Sequence, residues 1–338
     1  MGDRVTAIDF FVTTPLPAPG MQLLEAAGTV TVAENGMTHA ELADACASGN
    51  YTVVVAQLRD EFDAALLDRA KIAGISNFAV GYNNIDVTAA TANSVLVGNT
   101  PGVLTDATAD IAVLLMLAVA RRCVEADAFV RAGKFHGWEP ELLLGHDVSG
   151  KTLGLAGFGR IARATARRAL AFGMTVAFCP RPPSDREVSE EELGEFAGRV
   201  RHVSWTELVA ASDYLSVHVP LNDQTRHLVD AAVLKAMKPS AILINTARGP
   251  IVDERALVTA LRDGTIAGAG LDVFEDEPRL APGLAELPNT VLLPHVGSAT
   301  VPVRAEMARR CAENAIAMAR GELPPYPVNP EAPRTAAR

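Results

Sequence analysis

The sequence predicts an α/β protein whose sheets are parallel and layered with helices, and three observations carry that expectation. Short β-rich runs alternate with helical stretches in two series, one within the first hundred residues and one from Lys151 onward. A glycine-rich turn in the second series falls between a strand and a helix. The chain has 338 residues, which at ~150 residues per domain suggests two domains, each able to bury a core. Alternation of this kind sets successive strands side by side in parallel, with helices on the faces.

In the first series Thr52–Ala56 is a buried strand and Glu61–Ala73 reads as a helix. Ile75–Val80 and Val95–Val97 are further short strands bounded by turn residues. Asn99-Thr100-Pro101-Gly102 interrupts the pattern, and a long helix follows from Thr105 to about Arg122, with Thr105 or Asp106 as its N-cap. Its apolar run, Ile111–Ala120, is about half the ~20 residues that a bilayer crossing needs, so it reads as a buried helix. The second series offers six strands, at Thr152–Ala156, Thr175–Phe178, Tyr214–Val217, Ala241–Asn245, Gly268–Val273 and Thr290–Leu293, which suit a doubly wound sheet. A helix is expected at Arg163–Phe172. Pro294-His295 is the second interruption, with a helix from about Val303 to Arg320 beyond it. From Pro324 onward the tail is rich in proline and alanine and is expected to wrap loosely or fray.

Composition narrows the function classes. Thirty lysines and arginines stand against 40 aspartates and glutamates, a net charge of −10, so no basic surface advertises a nucleic-acid partner. An anionic substrate must then be caught by a few placed cations. Cys46, Cys123, Cys179 and Cys311 lie far apart, which argues against a zinc site or disulfide framework and suits a reducing compartment. Residues Met1–Phe11 carry Asp3, Arg4 and Asp9 and do not form a secretion signal. The expectation is a cytoplasmic protein with no metal and no membrane partner.

The segment Thr152–Ala156, Gly157-Phe158-Gly159-Arg160-Ile161-Ala162 is a strand entering a G-x-G-x-x-A turn that opens a helix. Gly157 permits the tight turn, Gly159 lets the backbone approach a pyrophosphate, and Ala162 lets helix and strand pack closely. With a second strand following, this setting marks a dinucleotide site rather than a merely structural turn. NAD-type sites place an acid about 20 residues on, where it meets the adenine ribose. Here that strand end reads Phe178-Cys179-Pro180-Arg181-Pro182-Pro183, with Asp185 beyond the prolines. A missing acid beside an arginine suits the 2′-phosphate of NADP, so NADP is expected ahead of NAD.

Three further segments bear reactive groups: Asn245-Thr246-Ala247-Arg248-Gly249-Pro250, Asp272-Val273-Phe274-Glu275-Asp276-Glu277-Pro278, and Pro294-His295. Strand C-terminal ends of an open α/β sheet face the ligand crevice, so Arg248, Glu277 and His295 can converge there. Arginine offers a fork to a carboxylate, and histidine exchanges a proton with a substrate oxygen while a neighbouring carboxylate orients it. Singly, Arg248 could pair with a surface acid, Glu277 could be a solvated loop acid and His295 a capping residue. Jointly, beside a dinucleotide turn, they suit the reduction of a 2-oxo acid.

The chain resembles the D-isomer-specific 2-hydroxyacid dehydrogenase family over essentially its whole length. The resemblance is carried by Val80-Gly81-Tyr82-Asn83-Asn84-Ile85-Asp86, by Asn99–Asp110, by the Gly157 turn, by Arg248-Gly249, by Asp272–Pro278 and by Pro294-His295. Val80–Asn84, Gly137-Trp138 and Arg248-Gly249-Pro250 are most similar to glyoxylate and hydroxypyruvate reductases. The resemblance implies two Rossmann-like domains: a discontinuous substrate domain of residues 1–100 and 295–338, and an NAD(P) domain, 101–294, inserted into it. It implies a homodimer built on the helix after Pro101 and the arm through Trp138. Arg248 would grip the substrate carboxylate with the backbone of Val80 and Gly81, and His295 would be the acid/base with Glu277 as its partner. Asp272 would contact the nicotinamide side, while Gly157, Gly159, Arg160, Ile161, Arg181, Thr225 and Thr246 would line the cofactor, with Thr108 and His218 at two further cofactor-contacting positions. His218 suits packing and a backbone hydrogen bond equally.

The resemblance points to a small 2-oxo acid, hydroxypyruvate or glyoxylate, as substrate. Glu277 departs from formate dehydrogenases, which have Gln there, and Val80 from phosphite dehydrogenases, which have Lys. Other family members, of D-lactate or 3-phosphoglycerate type, and a non-catalytic nucleotide-sensing protein like the corepressors of this fold, are the alternatives.

Overall fold

The computed structural model describes residues 8–34 and 37–333. The chain divides into two compact units, Thr105–Ser298 and the segments on either side of it, Met1–Leu104 with Ala299–Arg338.

The first unit alternates β1 (Asp9–Val12), α1 (Gly20–Ala27), β2 (Thr29–Val32), α2 (His39–Ala47), β3 (Val53–Ala56), α3 (Ala64–Leu67), β4 (Gly74–Asn77), α4 (Val87–Ala92) and β5 (Leu96–Gly98). Its five strands form one parallel sheet in the order β2-β1-β3-β4-β5. The last helix of the chain, α12 (Val301–Ala319), returns to pack on this sheet. The alternation of side chains along a strand divides the core in two. Val53 and Val55 face α1 and α12, with Phe10, Val12, Met307 and Cys311. Val54 and Ala56 face the opposite layer, with Leu42, Cys46, Leu66 and Ile75.

The second unit runs α5 (Thr105–Ala120), α6 (Cys123–Arg131), β6 (Thr152–Ala156), α7 (Arg160–Ala171), β7 (Thr175–Cys179), α8 (Glu190–Leu193), β8 (Val200–His202), α9 (Trp205–Ala211), β9 (Tyr214–Val217), α10 (Ala231–Ala236), β10 (Ile242–Asn245), α11 (Glu254–Arg262), β11 (Gly268–Leu271) and β12 (Thr290–Leu292). Seven parallel strands lie in the order β12-β11-β10-β9-β6-β7-β8. Helices cover both faces, so a strand such as β10 is apolar up to its final Asn245: Ile242 and Ile244 meet the α5 and α7 layer, and Leu243 meets α9 to α11. Full burial of each such side chain stabilises by roughly 1.5–3 kcal/mol. Both sheets are parallel throughout, as the alternation predicts. Among the described residues no helix is long and apolar enough to cross a membrane.

Several expected elements differ. The second series holds seven strands, not six; the unexpected one, β8, is a short edge strand of Val200-Arg201-His202 whose half-exposed, charged composition hides it. Glu61–Ala73 is not one helix. Asp63 caps a single turn, α3, and the chain then turns back, with the Lys71 N–H on the Cys46 carbonyl at 2.8 Å, to enter β4. The helix expected at Arg163 starts at Arg160, directly after Gly159. The long helix begins with Thr105 as a helical residue and stops at Ala120. The tail does not fray over its described part. The Val328 N–H donates to the Val97 carbonyl at 2.8 Å, and Asn329 accepts the Val97 N–H at 2.8 Å while donating to the Val95 carbonyl at 3.0 Å, so the edge of β5 is covered. Residues 334–338 of that tail and residues 1–7 of the N-terminal segment lie outside the described residues.

Candidate active site

Strand order in the seven-stranded sheet reverses between β6 and β9, and in open α/β sheets ligands bind beyond the strand ends at such a point. Gly157 stands there. Its φ of +97° lies in the left-handed region, and a Cβ would come within 2.8 Å of the His218 carbonyl oxygen after β9. Both facts require glycine. Gly159, which caps α7, is different: its φ of −80° suits any residue, and nothing in the protein lies within 4 Å of where a Cβ would stand. That leaves open space at the N-terminus of a 12-residue helix that has no side-chain cap, where N–H groups can receive an anion. Thr246, just past β10, has a buried hydroxyl with no hydrogen-bond partner among the described residues. The residues present fit a dinucleotide.

The reactive groups come from the ends of β10, β11 and β12. After β10 the Asn245 carboxamide folds the chain over itself, accepting the Ala247 N–H at 3.0 Å and donating to the Arg248 carbonyl at 2.9 Å. Arg248 Nη1 donates to the Ala247 carbonyl at 2.7 Å. Burial lowers the Arg248 pKa and the nearby Glu277 opposes that; a guanidinium stays charged regardless. At Gly249 a Cβ would land on the Phe274 carbonyl, so the Arg248 loop and the loop after β11 touch backbone to backbone.

Glu277 accepts the Phe274 N–H on Oε1 at 3.0 Å and meets His295 Nδ1 on Oε2 at 3.0 Å. Burial raises its pKa, but the His295 hydrogen bond and charge, the Phe274 N–H and Arg248 outweigh that and hold it below the usual carboxylate range. An ionised carboxylate only accepts, which assigns the proton to Nδ1 and leaves Nε2 for a substrate oxygen. His295 itself has a φ of +55°, a left-handed conformation that costs a non-glycine residue roughly 1–2 kcal/mol. Asp272, at the end of β11, holds it: its two oxygens accept the Val296 and Gly297 N–H groups, each at 2.7 Å. Burial raises the Asp272 pKa, and those two bonds oppose the shift. Thr108 of α5 closes the same loop from the other side, donating to the Gly297 carbonyl at 3.2 Å.

The structure thus joins Glu277 and His295 by a direct bond, ties Asp272 to the backbone just after His295, and sets Arg248 near enough to Glu277 for their charges to act on one another. Thr108 and Asp272 are seen supporting the His295 loop. Arg160 is exposed at the start of α7 and Ile161 half-buried beside it, while Arg181 is exposed on the loop after β7. The Thr225 hydroxyl is used within its own turn, donating to the Pro220 carbonyl at 2.6 Å and accepting the Asn222 N–H at 2.9 Å. His218 Nε2 lies 2.9 Å from Ser216 Oγ, and burial pushes its pKa down to about 4, so the ring is neutral near pH 7. Val80 and Gly81 lie in the turn after β4 of the first unit. Their carbonyls accept from Asn99 at 2.7 Å and Asn77 at 2.9 Å, while their N–H groups meet no acceptor among the described residues.

Sequence reading missed two groups of residues. Glu254, His227 and Glu275 form a buried-to-exposed chain behind Glu277, and His202 pairs with Asp185 at 2.8 Å beside β7. Only the acid-rich run Glu275-Asp276-Glu277 hinted at the first group. Among the described residues no cluster of three or more His, Cys, Asp or Glu is placed to hold a metal ion. Burial pushes Cys46 and Cys311 up to about 12 and Cys179 to about 11, so none of the three is a thiolate nucleophile near neutral pH.

Residues 113–297 match the domain described as "D-isomer specific 2-hydroxyacid dehydrogenase, NAD binding domain". The chain is 50% identical over 281 residues to a glyoxylate reductase of Thermococcus litoralis, covering 82% of this chain and 83% of the relative. It is 42% identical over 328 residues to a glyoxylate reductase of Pyrococcus furiosus, covering 95% of both. Among solved structures, an NADPH-dependent glyoxylate/hydroxypyruvate reductase from Sinorhizobium meliloti, in complex with NADP and malonate, superposes with a TM-score of 0.83 at 34% identity. That match covers 98% of this chain and 100% of the other. The chain belongs to the D-isomer-specific 2-hydroxyacid dehydrogenase family. It is an oxidoreductase with that family's NAD-binding domain, acting between 2-oxo and 2-hydroxy acids with a nicotinamide cofactor.

Proposed function

We propose that this enzyme reduces glyoxylate or hydroxypyruvate to the 2-hydroxy acid, D-configured where the product is chiral, with NADPH preferred over NADH. The observation that carries the reading is the Arg248–Glu277–His295 arrangement, in which an ionised carboxylate holds Nδ1 of the histidine and a guanidinium stands beside it. Gly157, Gly159, Arg160, Ile161, Thr225 and Thr246 would hold the dinucleotide, with Thr108, His218 and Asp272 nearer the reacting end. A reduced nicotinamide bound there supplies the hydride. Arg248 binds the substrate carboxylate as a fork, and the N–H groups of Val80 and Gly81 are suited to the same anion. Protonated His295 gives its Nε2 proton to the carbonyl oxygen, and Glu277 stabilises the imidazolium before transfer. Arg248 and His295 also lower the energy of negative charge growing on that oxygen. The unit containing Val80 is the substrate domain in this reading, and Thr105–Ser298 the cofactor domain.

The NADPH preference is supported at the end of β7. Arg181 is exposed there, and the carboxylate of Asp185 is committed to His202, which holds it below the usual carboxylate range. A homodimer is supported by Leu114, Val124, Phe135, Trp138 and Leu144, all exposed, Trp138 by 84%, and by α6, which buries no residue within this chain. A cleft of about 350 Å³ between Val119, Val124, Leu144 and Val291 lies in the same region. A cytoplasmic setting is supported by four free thiols.

The test is a matrix of initial rates: NADPH or NADH against glyoxylate, hydroxypyruvate, pyruvate and phosphohydroxypyruvate, followed by loss of reduced-nicotinamide absorbance. Fastest turnover of the first two acids with NADPH is expected. Faster turnover with NADH overturns the cofactor preference, and faster pyruvate or phosphohydroxypyruvate reduction overturns the substrate assignment.

A further inference from the structure

We infer that Glu254 is a positioning residue for the acid–base pair, fixing the loop that carries Glu277 against His295. The inference rests on the proposed role of His295 as proton donor. Glu254 opens α11, where Asp253 already caps the helix by accepting the Ala256 N–H at 2.9 Å. An acid in the first turn of a helix ordinarily points to water, yet Glu254 is 3% exposed. Its Oε1 accepts the Glu275 N–H and its Oε2 the Ala281 N–H at 3.2 Å. One side chain therefore grips two points of a loop, and Glu277 lies between them.

The same side chain joins a longer chain of bonds. Glu275 Oε2 accepts the Glu254 N–H at 3.3 Å, and Glu275 Oε1 meets His227 Nε2 at 2.6 Å. The His227 N–H donates to the carbonyl of Pro250 at 2.9 Å, two residues beyond Arg248. The loops bearing Arg248 and Glu277, which already touch at Gly249 and Phe274, are thus tied a second time through Glu254.

Glu254 also acts through charge. Both of its oxygens face donors, which calls for the carboxylate form, although burial and the charges of Glu275 and Glu277 raise its pKa. The groups facing the Glu277–His295 pair are Arg248 after β10, Asp272 at the end of β11, Glu254 on α11, and Glu275 with His227 behind it. Glu254 thus adds negative charge beside Glu277, opposite in sign to the cation of Arg248.

The decisive experiment compares wild type, Glu254→Gln and Glu254→Asp by pH profiles of kcat and KM for glyoxylate reduction. Histidine-ring NMR, with the His295 signal assigned through His295→Gln, reads the same proton without turnover. Glutamine keeps the shape but lacks the charge and presents an amide N–H₂ to one of the two N–H groups. Glu254→Gln is expected to lower kcat about tenfold with KM changed less than about twofold. Its alkaline limb and the His295 titration should both move down by about half a pH unit. Glu254→Asp, which keeps the charge, should restore the titration and part of kcat. A wild-type titration in Glu254→Gln, or a loss confined to thermal stability, overturns the inference. If Glu254→Gln does not fold, Glu254→Asp decides through kcat, where about a threefold fall is expected and a wild-type value overturns. If wild type reduces no 2-oxo acid, the proposed function fails, while the NMR titration still judges Glu254.

Discussion

The two ends of the seven-stranded sheet are built in different ways. Beyond β10, β11 and β12, each charged side chain or its loop is fixed by backbone groups: Asn245 folds the Arg248 turn, Phe274 holds Glu277, and Val296 and Gly297 hang on Asp272. Beyond β7 and β8, side chains hold side chains on an exposed proline-rich loop, His202 with Asp185 and Arg186 with Glu192. Backbone bonds are set by the fold and place an atom closely, whereas exposed side-chain pairs are weak and screened. In the proposed function, reaction chemistry sits where geometry is over-determined, and the choice of cofactor where a few substitutions can change it.

Five substitutions test that contrast. His295→Ala and Arg248→Ala should each lower kcat/KM about a thousandfold in steady-state assays; near-wild-type turnover of His295→Ala removes its role as proton donor. Gly249→Ala should come next, because its methyl group must displace the Phe274 carbonyl. A loss of about 1–3 kcal/mol in denaturant unfolding is expected, together with lower activity; an unchanged unfolding midpoint would mean that the two loops are less closely locked. Arg181→Ser, at the looser end, should cut the NADPH-over-NADH preference about tenfold, with kcat for NADH little altered. A loss of activity with both cofactors would erase the distinction between the ends. Thr246→Val has the smallest expected effect: removing an unpartnered buried hydroxyl should leave the cofactor-free protein as stable or more so by ~0.5–1 kcal/mol, while the dinucleotide binds more weakly. Equal binding by calorimetry would take Thr246 out of the cofactor site.

Strand positions in the second unit were legible because burial on both faces leaves short, largely apolar runs such as Ile242–Ile244 or Leu153–Ala156, with no charged residue in them. β8 was not, since an edge strand covered on one side needs no such run. Over Glu61–Ala73 a helical pattern yielded to the need to re-enter the sheet at β4. At the site, Arg248, Glu277 and His295 announce themselves as charged groups at strand ends. Glu254 does not: next to the capping Asp253 it looks like an ordinary surface acid, and only the fold shows its carboxylate turned inward. Asp272 and Thr108 were singled out from the resemblance as cofactor contacts, yet their bonds to the His295 loop could not be read from spacing, because they join residues 24 and 189 positions away.

The return of α12 to the first sheet has a consequence for how the polypeptide is made. Phe10, Val12, Val53 and Val55 complete their core only with Met307, Ala308, Cys311 and Ala312. The ribosome therefore releases one half of that core and then roughly 200 further residues before supplying the other, a delay of about 10–40 s at typical elongation speeds. The intervening segment emerges uninterrupted and can close its own core during the wait. Synthesis order and folding order are thus inverted: what is translated first is finished last, and its uncovered apolar strands are the part of the nascent chain most in need of a chaperone.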